Sequence, residues 1–281
     1  MILQQLDSFP PSTNCMKSIA IWFLVLALAL FVPMGSTVQA QPSERAVLND
    51  IPARVDRKLR RDAARLTLRL QQSTEDLRYQ SVVIPGSTVD HLYQVLATVY
   101  SQNELARSVA ECNVHTFPNP SIDHFVLIYD KDVAWASLLR DGISETTNRE
   151  LNDLLDEYDL VIEKHVQWDD TQDALTIRSR RPMNISALAM QFEEIEGVNK
   201  TDLGIPRLRG NDILVERSSG GWTITYLLRF GAPIGGSGKE HRWIFECSDS
   251  FQSTFVREEG DDIPSHLRCQ FGEHPMLAGW R

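Results

Sequence analysis

The chain has 281 residues, and its 28 Lys and Arg stand against 38 Asp and Glu, for a formal net charge of −10 at pH 7. That length suits one large domain or two small ones. The acidic balance argues against a nucleic-acid partner, whose phosphates require clustered Lys and Arg.

The first forty residues have the three-part order of a secretory signal. Lys17 precedes an uncharged apolar run from Ser18 to Val32, which Pro33 and Gly35 break. Val38-Gln39-Ala40 then offers small or short side chains at the positions a signal peptidase reads. The run is shorter than the ~20 residues of a spanning helix, and no Cys follows it to accept a lipid. The expected organisation is a signal peptide over 1–40, with 1–15 a gene-model extension ahead of Met16. A single α+β domain over 41–247 and an irregular tail over 248–281 follow. The mature chain is expected to be secreted, periplasmic or in the cell envelope, with no stable membrane span.

From Val55 to Leu77, the apolar residues Val55, Leu59, Ala63, Leu66 and Leu70 recur at helical steps among Arg and Asp, with Pro52 suited to the first turn. Ser87 is placed to cap a second helix whose stripe is Val89, Leu92, Tyr93, Leu96, Val99 and Tyr100. Residues 101–121 read as loop because of Phe117-Pro118-Asn119-Pro120. Phe125 to Tyr129 is a continuous apolar run, expected as a central strand. Asp132 and Thr147 are placed to cap a short helix and then a longer one. The period then changes to two. Leu160 to Trp168 and Leu175 to Ile177 read as a β-hairpin, and Asn184 caps a helix that Gly197 stops. Further strands are expected at Ile213, at Trp222 to Phe230, and at His241 to Cys247, giving a ββαβββ order in a mostly antiparallel sheet with helices from the N-terminal half packed against it.

Motifs for chemistry are sparse. Gly231 to Lys239 resembles a phosphate-binding loop only superficially. Pro233 stands where the first Gly is needed, Glu240 where Ser or Thr is needed, and a strand follows in place of a helix. His115, Asp123 and His124 surround the Pro-rich loop with loosely spaced metal-ligand types. The clusters Asp169/Asp170/Asp173 and Glu258/Glu259/Asp261/Asp262 lack calcium-loop spacing. No nucleophile elbow or cysteine-protease signature occurs. His241 falls on the apolar face of its strand with Trp243, beside the Gly-rich loop. No catalytic, cofactor-binding or metal-binding residue is assigned. His115, His124 and His241 are retained as surface candidates. Of the cysteines beyond the leader, Cys112, Cys247 and Cys269, the pair Cys247–Cys269 is nearest in sequence and is expected to form a disulfide.

Residues 90–247 resemble a group of uncharacterised exported proteins of Bacteroidota-type bacteria. The resemblance is carried by His115-Thr116-Phe117-Pro118-Asn119-Pro120, Val133-Ala134-Trp135, Glu194-Ile195-Glu196-Gly197-Val198, Gly221-Trp222-Thr223-Ile224-Thr225-Tyr226 and His241-Arg242-Trp243-Ile244-Phe245. Similar proteins often carry a Cys pair before that His, whereas Ala232 to Gly238 contains none here. The resemblance implies export and a shared fold, and no activity. The expected function is therefore a binding or accessory module, with a protein or glycan as partner and no nucleic acid. The competing expectations are a secreted, metal-assisted hydrolase and a structural cell-envelope protein.

Overall fold

A computed structural model describes residues 51–73, 81–141, 143, 146–204, 210–231, 238–264 and 267. The expected signal peptide and residues 232–237 of the Gly-rich loop lie outside them. The described residues all belong to one unit, Pro42–Arg281. Among them, no helix is long and apolar enough to cross a membrane.

The chain opens with three helices: α1 (Ala53–Gln72), α2 (Gly86–Gln102) and α3 (Glu104–Glu111). Pro52 precedes α1, where its missing N–H costs nothing. Ser87 does not cap α2. Pro85 takes that position and the helix begins two residues earlier, at Gly86. Helix α3 corrects the expected loop over 101–121. Its inward Ala106, Val109 and Ala110 are buried, but an eight-residue helix leaves too short a stripe to stand out in sequence.

Two antiparallel sheets follow. The first contains β1 (His124–Asp130), β2 (Leu160–Gln167), β3 (Gln172–Ser179) and β4 (Val198–Asp202), in the order β2-β3-β1-β4. As expected, β1 is central, with β3 on one side and β4 on the other. The short α4 (Ser137–Arg140), α5 (Arg149–Glu157) and α6 (Ile185–Glu193) supply its helical cover. Asn148, not Thr147, caps α5 by accepting from the Leu151 N–H. Asn184 caps α6 as expected, through the Ala187 N–H. Phe125, Leu127, Leu175 and Ile177 form a core with Leu188 and Phe192 of α6. Full burial of each such side chain contributes ~1.5–3 kcal/mol before the entropy of ordering it. Between α6 and β4 the chain turns at Gly197 with φ +85°. A Cβ there would lie 2.3 Å from Val133 Cγ1, so both the conformation and the space require glycine.

The second sheet is a meander of β5 (Asp212–Ser218), β6 (Gly221–Phe230), β7 (Lys239–Ser248) and β8 (Ser253–Gly260), in that order. Ile213, Ile224, Tyr226 and Phe245 on its inner face pack against Leu59 and Leu66 of α1 and the buried side of α2. Two strands escaped the sequence. β4, Val-Asn-Lys-Thr-Asp, is a short polar edge strand, and β8 lies within the expected irregular tail. The α+β class stands. The expected single sheet is two sheets, and ββαβββ becomes ββαβββββ from β2 onward. The expected Cys247–Cys269 bridge is corrected as well. Cys247 carries a free, buried thiol, and Cys112 is the cysteine that is disulfide-bonded. Burial of Cys247 on the helix-facing side of β7 pushes its thiol up to about 11, with the nearby Asp249 charge adding to the effect.

Candidate functional site

The three histidines singled out in the sequence occupy two places. His115 belongs to the loop before β1 and His124 is the first residue of that strand; the loop packs along α1. Three arginines spaced by four residues, Arg61, Arg65 and Arg69, project from one flank of that helix onto the loop. Arg61 pairs with Asp123 at 2.6 Å. Arg65 donates to the Thr116 hydroxyl at 2.7 Å and to the Pro120 carbonyl at 3.1 Å. Arg69 donates to the carbonyls of Phe117 and Asn119 and pairs with Asp212 of β5 at 2.8 Å. Burial lowers the Arg65 guanidinium to about 10, which keeps it charged at neutral pH.

Asp62 completes this clamp. Its carboxylate accepts from the Thr116 N–H at 2.9 Å, from the Thr116 hydroxyl at 2.6 Å and from His115 Nδ1 at 2.6 Å. His115 Nε2 and the Tyr226 hydroxyl are buried without a hydrogen-bond partner among the described residues. Burial, then the Asp62 charge, pushes the Tyr226 hydroxyl well above its ordinary ionisation range. Asp123 holds His124 Nδ1 at 3.0 Å. Burial opposes ionisation of Asp123, but the His124 hydrogen bond and the Arg61 and Arg65 charges outweigh it, so its carboxyl sits below the ordinary range. The Asp62 and Asp123 carboxylates and the Nδ1 atoms of both histidines are thus engaged with the protein itself. Among the described residues no group of three or more His, Cys, Asp or Glu is placed to hold a metal ion.

His241 lies elsewhere. β6 pairs Leu228 with His241 and Tyr226 with Trp243, and β8 sets Glu258 opposite Trp243. Side chains of a strand alternate between faces, so Leu228, His241, Trp243 and Glu258 share the inner face. Helix α3, about 12 Å long at 1.5 Å per residue, covers this end of a sheet whose ten-residue strands are far longer. A cavity of about 330 Å³ remains between them. Its walls are mainly apolar: Leu105 and Val109 of α3, Val114, Leu228, Trp243 and Leu267. Polar groups enter at Ser108, His241, Glu258 and Asp262, and Cys112 lines the same space.

The His241 ring is fixed by the end of β8. Gly260 adopts φ +112°, and a Cβ there would meet the Glu240 carbonyl oxygen at 2.4 Å. The close approach lets Asp261 fold back onto β7. The Asp261 N–H donates to the Glu240 carbonyl at 2.8 Å, and its carboxylate accepts from the Glu240 N–H at 3.0 Å. The Asp261 carbonyl is 2.9 Å from His241 Nδ1. A carbonyl can only accept, so Nδ1 carries a proton. The Nε2 of the same ring is buried without a hydrogen-bond partner among the described residues, 3.6 Å from Glu258 Oε2. Trp243 packs edge-on to the ring, with centroids 4.7 Å apart.

A further polar cluster went unnoticed in the sequence. Asp173, 3% exposed, is 3.2 Å from His165 Nε2 and 4.0 Å from Arg140 Nε. Burial, then the Asp173 charge, pushes the ionisation of the Tyr129 hydroxyl beside it, unpartnered among the described residues, well above its ordinary range. The period-two pattern could have placed His165 and Asp173 across the hairpin, but Arg140 arrives from another element. No protein-family model matches the chain, and no curated protein or solved structure shows significant similarity to it.

Proposed function

We propose that the mature chain is an exported binding module whose ligand site is the cavity beneath α3. The observation that carries this reading is the pairing of a 330 Å³, mainly apolar cavity with a buried, fixed and unpartnered His241 Nε2. Small-molecule sites commonly combine an apolar lining of this size with a few placed polar groups. The leader over 1–40 supports export.

Two features favour binding over nucleophilic catalysis. Cys112 is tied up in a disulfide, and the Ser108 hydroxyl donates to the Glu104 carbonyl at 3.0 Å, so neither is presented to His241 as an activated nucleophile. The hydrolase reading rested on His115 and His124, whose Nδ1 atoms are held by Asp62 and Asp123.

The test is titration of the purified mature chain with the neutral fluorophore N-phenyl-1-naphthylamine. Saturable enhancement at one site per chain is expected, lost in Val109→Trp and in Leu105→Trp, either of which fills the cavity. Enhancement that never saturates, or that survives both substitutions in variants with native circular dichroism, refutes the reading. Amino-terminal sequencing of the exported protein is expected to begin at Gln41.

A further inference from the structure

We infer that the segment following β8 is a strap that closes the cavity beneath α3, and that a Cys112–Cys269 disulfide latches it shut. This rests on the cavity being the ligand site and adds how that site is opened. The strap has a fixed root. Gly260 turns the chain at φ +112°, and Asp261 is tied back to β7 through its N–H and its carboxylate, both on Glu240. Beyond that root, Asp262, Ile263 and Leu267 enter the wall of the cavity that α3 lines with Leu105, Ser108 and Val109. Ile263 also packs on the core of the second sheet. The Leu267 N–H donates to the Pro264 carbonyl at 2.9 Å, which turns Leu267 back within the strap.

The latch stands at the far end. Cys112 lines the same cavity and is disulfide-bonded. Cys247 is free and Cys15 lies ahead of the expected cleavage point, so Cys269 is its partner in the mature chain. Cα atoms across a disulfide are ~6 Å apart and two extended residues add ~7 Å, so the bond holds Leu267 within about 13 Å of Cys112. Without the bond, the covalent tether of Leu267 is the run from Asp261, about 20 Å when extended. A dithiol opens the latch by exchange. Its thiolate attacks one sulfur of the bond, which forms a mixed disulfide and frees the other cysteine as a thiol. Its second thiol then displaces the remaining cysteine, so both cysteines end reduced and the dithiol ends as a disulfide.

The experiment is stopped-flow mixing of the mature chain with N-phenyl-1-naphthylamine. Cys269→Ser removes the latch and leaves the described cavity wall unchanged. Association is expected to be roughly tenfold faster in Cys269→Ser than in the oxidised wild type, and as fast in wild type reduced beforehand with dithiothreitol, because lid opening then no longer gates entry. Oxidised Cys247→Ala is expected to keep the wild-type rate. Trypsin reads release of the strap without a ligand. Cleavage after Arg268 is expected to accelerate roughly tenfold once the bond is gone, as local opening exposes the strap, in protein that keeps its native circular dichroism. Equal association rates with and without the bond, or equal cleavage after Arg268, overturn the strap and leave the cavity reading standing. If the fluorophore binds none of these forms, the cavity reading falls and the strap falls with it.

Discussion

His115 and His241 are both nearly buried imidazoles held through Nδ1, yet their surroundings differ in kind. The Nδ1 of His115 is met by the charged carboxylate of Asp62, which also binds two groups of Thr116, and Arg65 closes the network from the other side. The Nδ1 of His241 is met by a single backbone carbonyl, and its remaining neighbours are cavity wall. In one place a histidine serves the architecture of a loop. In the other the architecture sets a histidine in the wall of a cavity. Each ring has one nitrogen held and one without a hydrogen-bond partner among the described residues, so what separates them is the surroundings: a charged loop network at His115 and a largely apolar cavity wall at His241.

Perturbing the two regions should separate them further. The largest effect is expected for Asp62→Ala, which leaves the Thr116 N–H, the Thr116 hydroxyl and His115 without their buried acceptor. A loss of about 3–5 kcal/mol in denaturant unfolding is expected, and any fraction that remains folded should bind cavity ligands normally. Next is Cys112. With Cys247 free and Cys15 inside the expected leader, Cys269 is the partner left to it. Peptide mapping without reductant should recover Cys112 linked to Cys269 and Cys247 alkylated, and Cys112→Ser should cost about 2–4 kcal/mol. A Cys247-linked peptide would break that assignment. Gly260→Ala should cost about 1–3 kcal/mol, because alanine is strained at φ +112° and meets the Glu240 carbonyl. Unlike Asp62→Ala, it should also weaken ligand binding, since it displaces the Asp261 carbonyl that orients His241. His241→Ala gives the inverse pattern, a loss of about 1 kcal/mol in stability with fluorophore binding in the cavity weakened.

The smallest effect is a pH slope. Asp123 is held below the ordinary carboxylate range in the folded state. Its contribution to stability is therefore complete above that range and is lost as pH falls through its folded value. Stability should decline below about pH 4, near the ordinary aspartate value, and Asp123→Asn should flatten that part of the acid-unfolding curve.

Elements with a strong internal period were legible before the fold was known. Helix α1, the run Phe125 to Tyr129 and the alternation from Trp222 to Phe230 each carry enough buried side chains to declare their type. β8 does not. Its residues are largely exposed, and it exists because β7 offers an open edge to pair with. A similar reason hid β4, which is polar and ordered by β1. His241 was readable from strand alternation, but Glu258, Asp261 and Cys112 reach it from separate elements. The disulfide expectation failed because proximity along the chain was taken for proximity in space. Cys247 lies on the helix-facing side of its strand, buried in the core that this sheet shares with the helices.

Helix α1 has a consequence for how the molecule comes apart. Leu59, Ala63 and Leu66 belong to the core of the second sheet, whereas Ala64 and Leu68 pack with Ile84 and Ile122 on the approach to the first. Its arginines secure the segment that enters β1 and, through Asp212, the strand that begins the second sheet. Neither sheet can release this helix without exposing apolar surface belonging to the other. The two halves should therefore melt as a single cooperative unit, and a lesion in either should lower one shared transition.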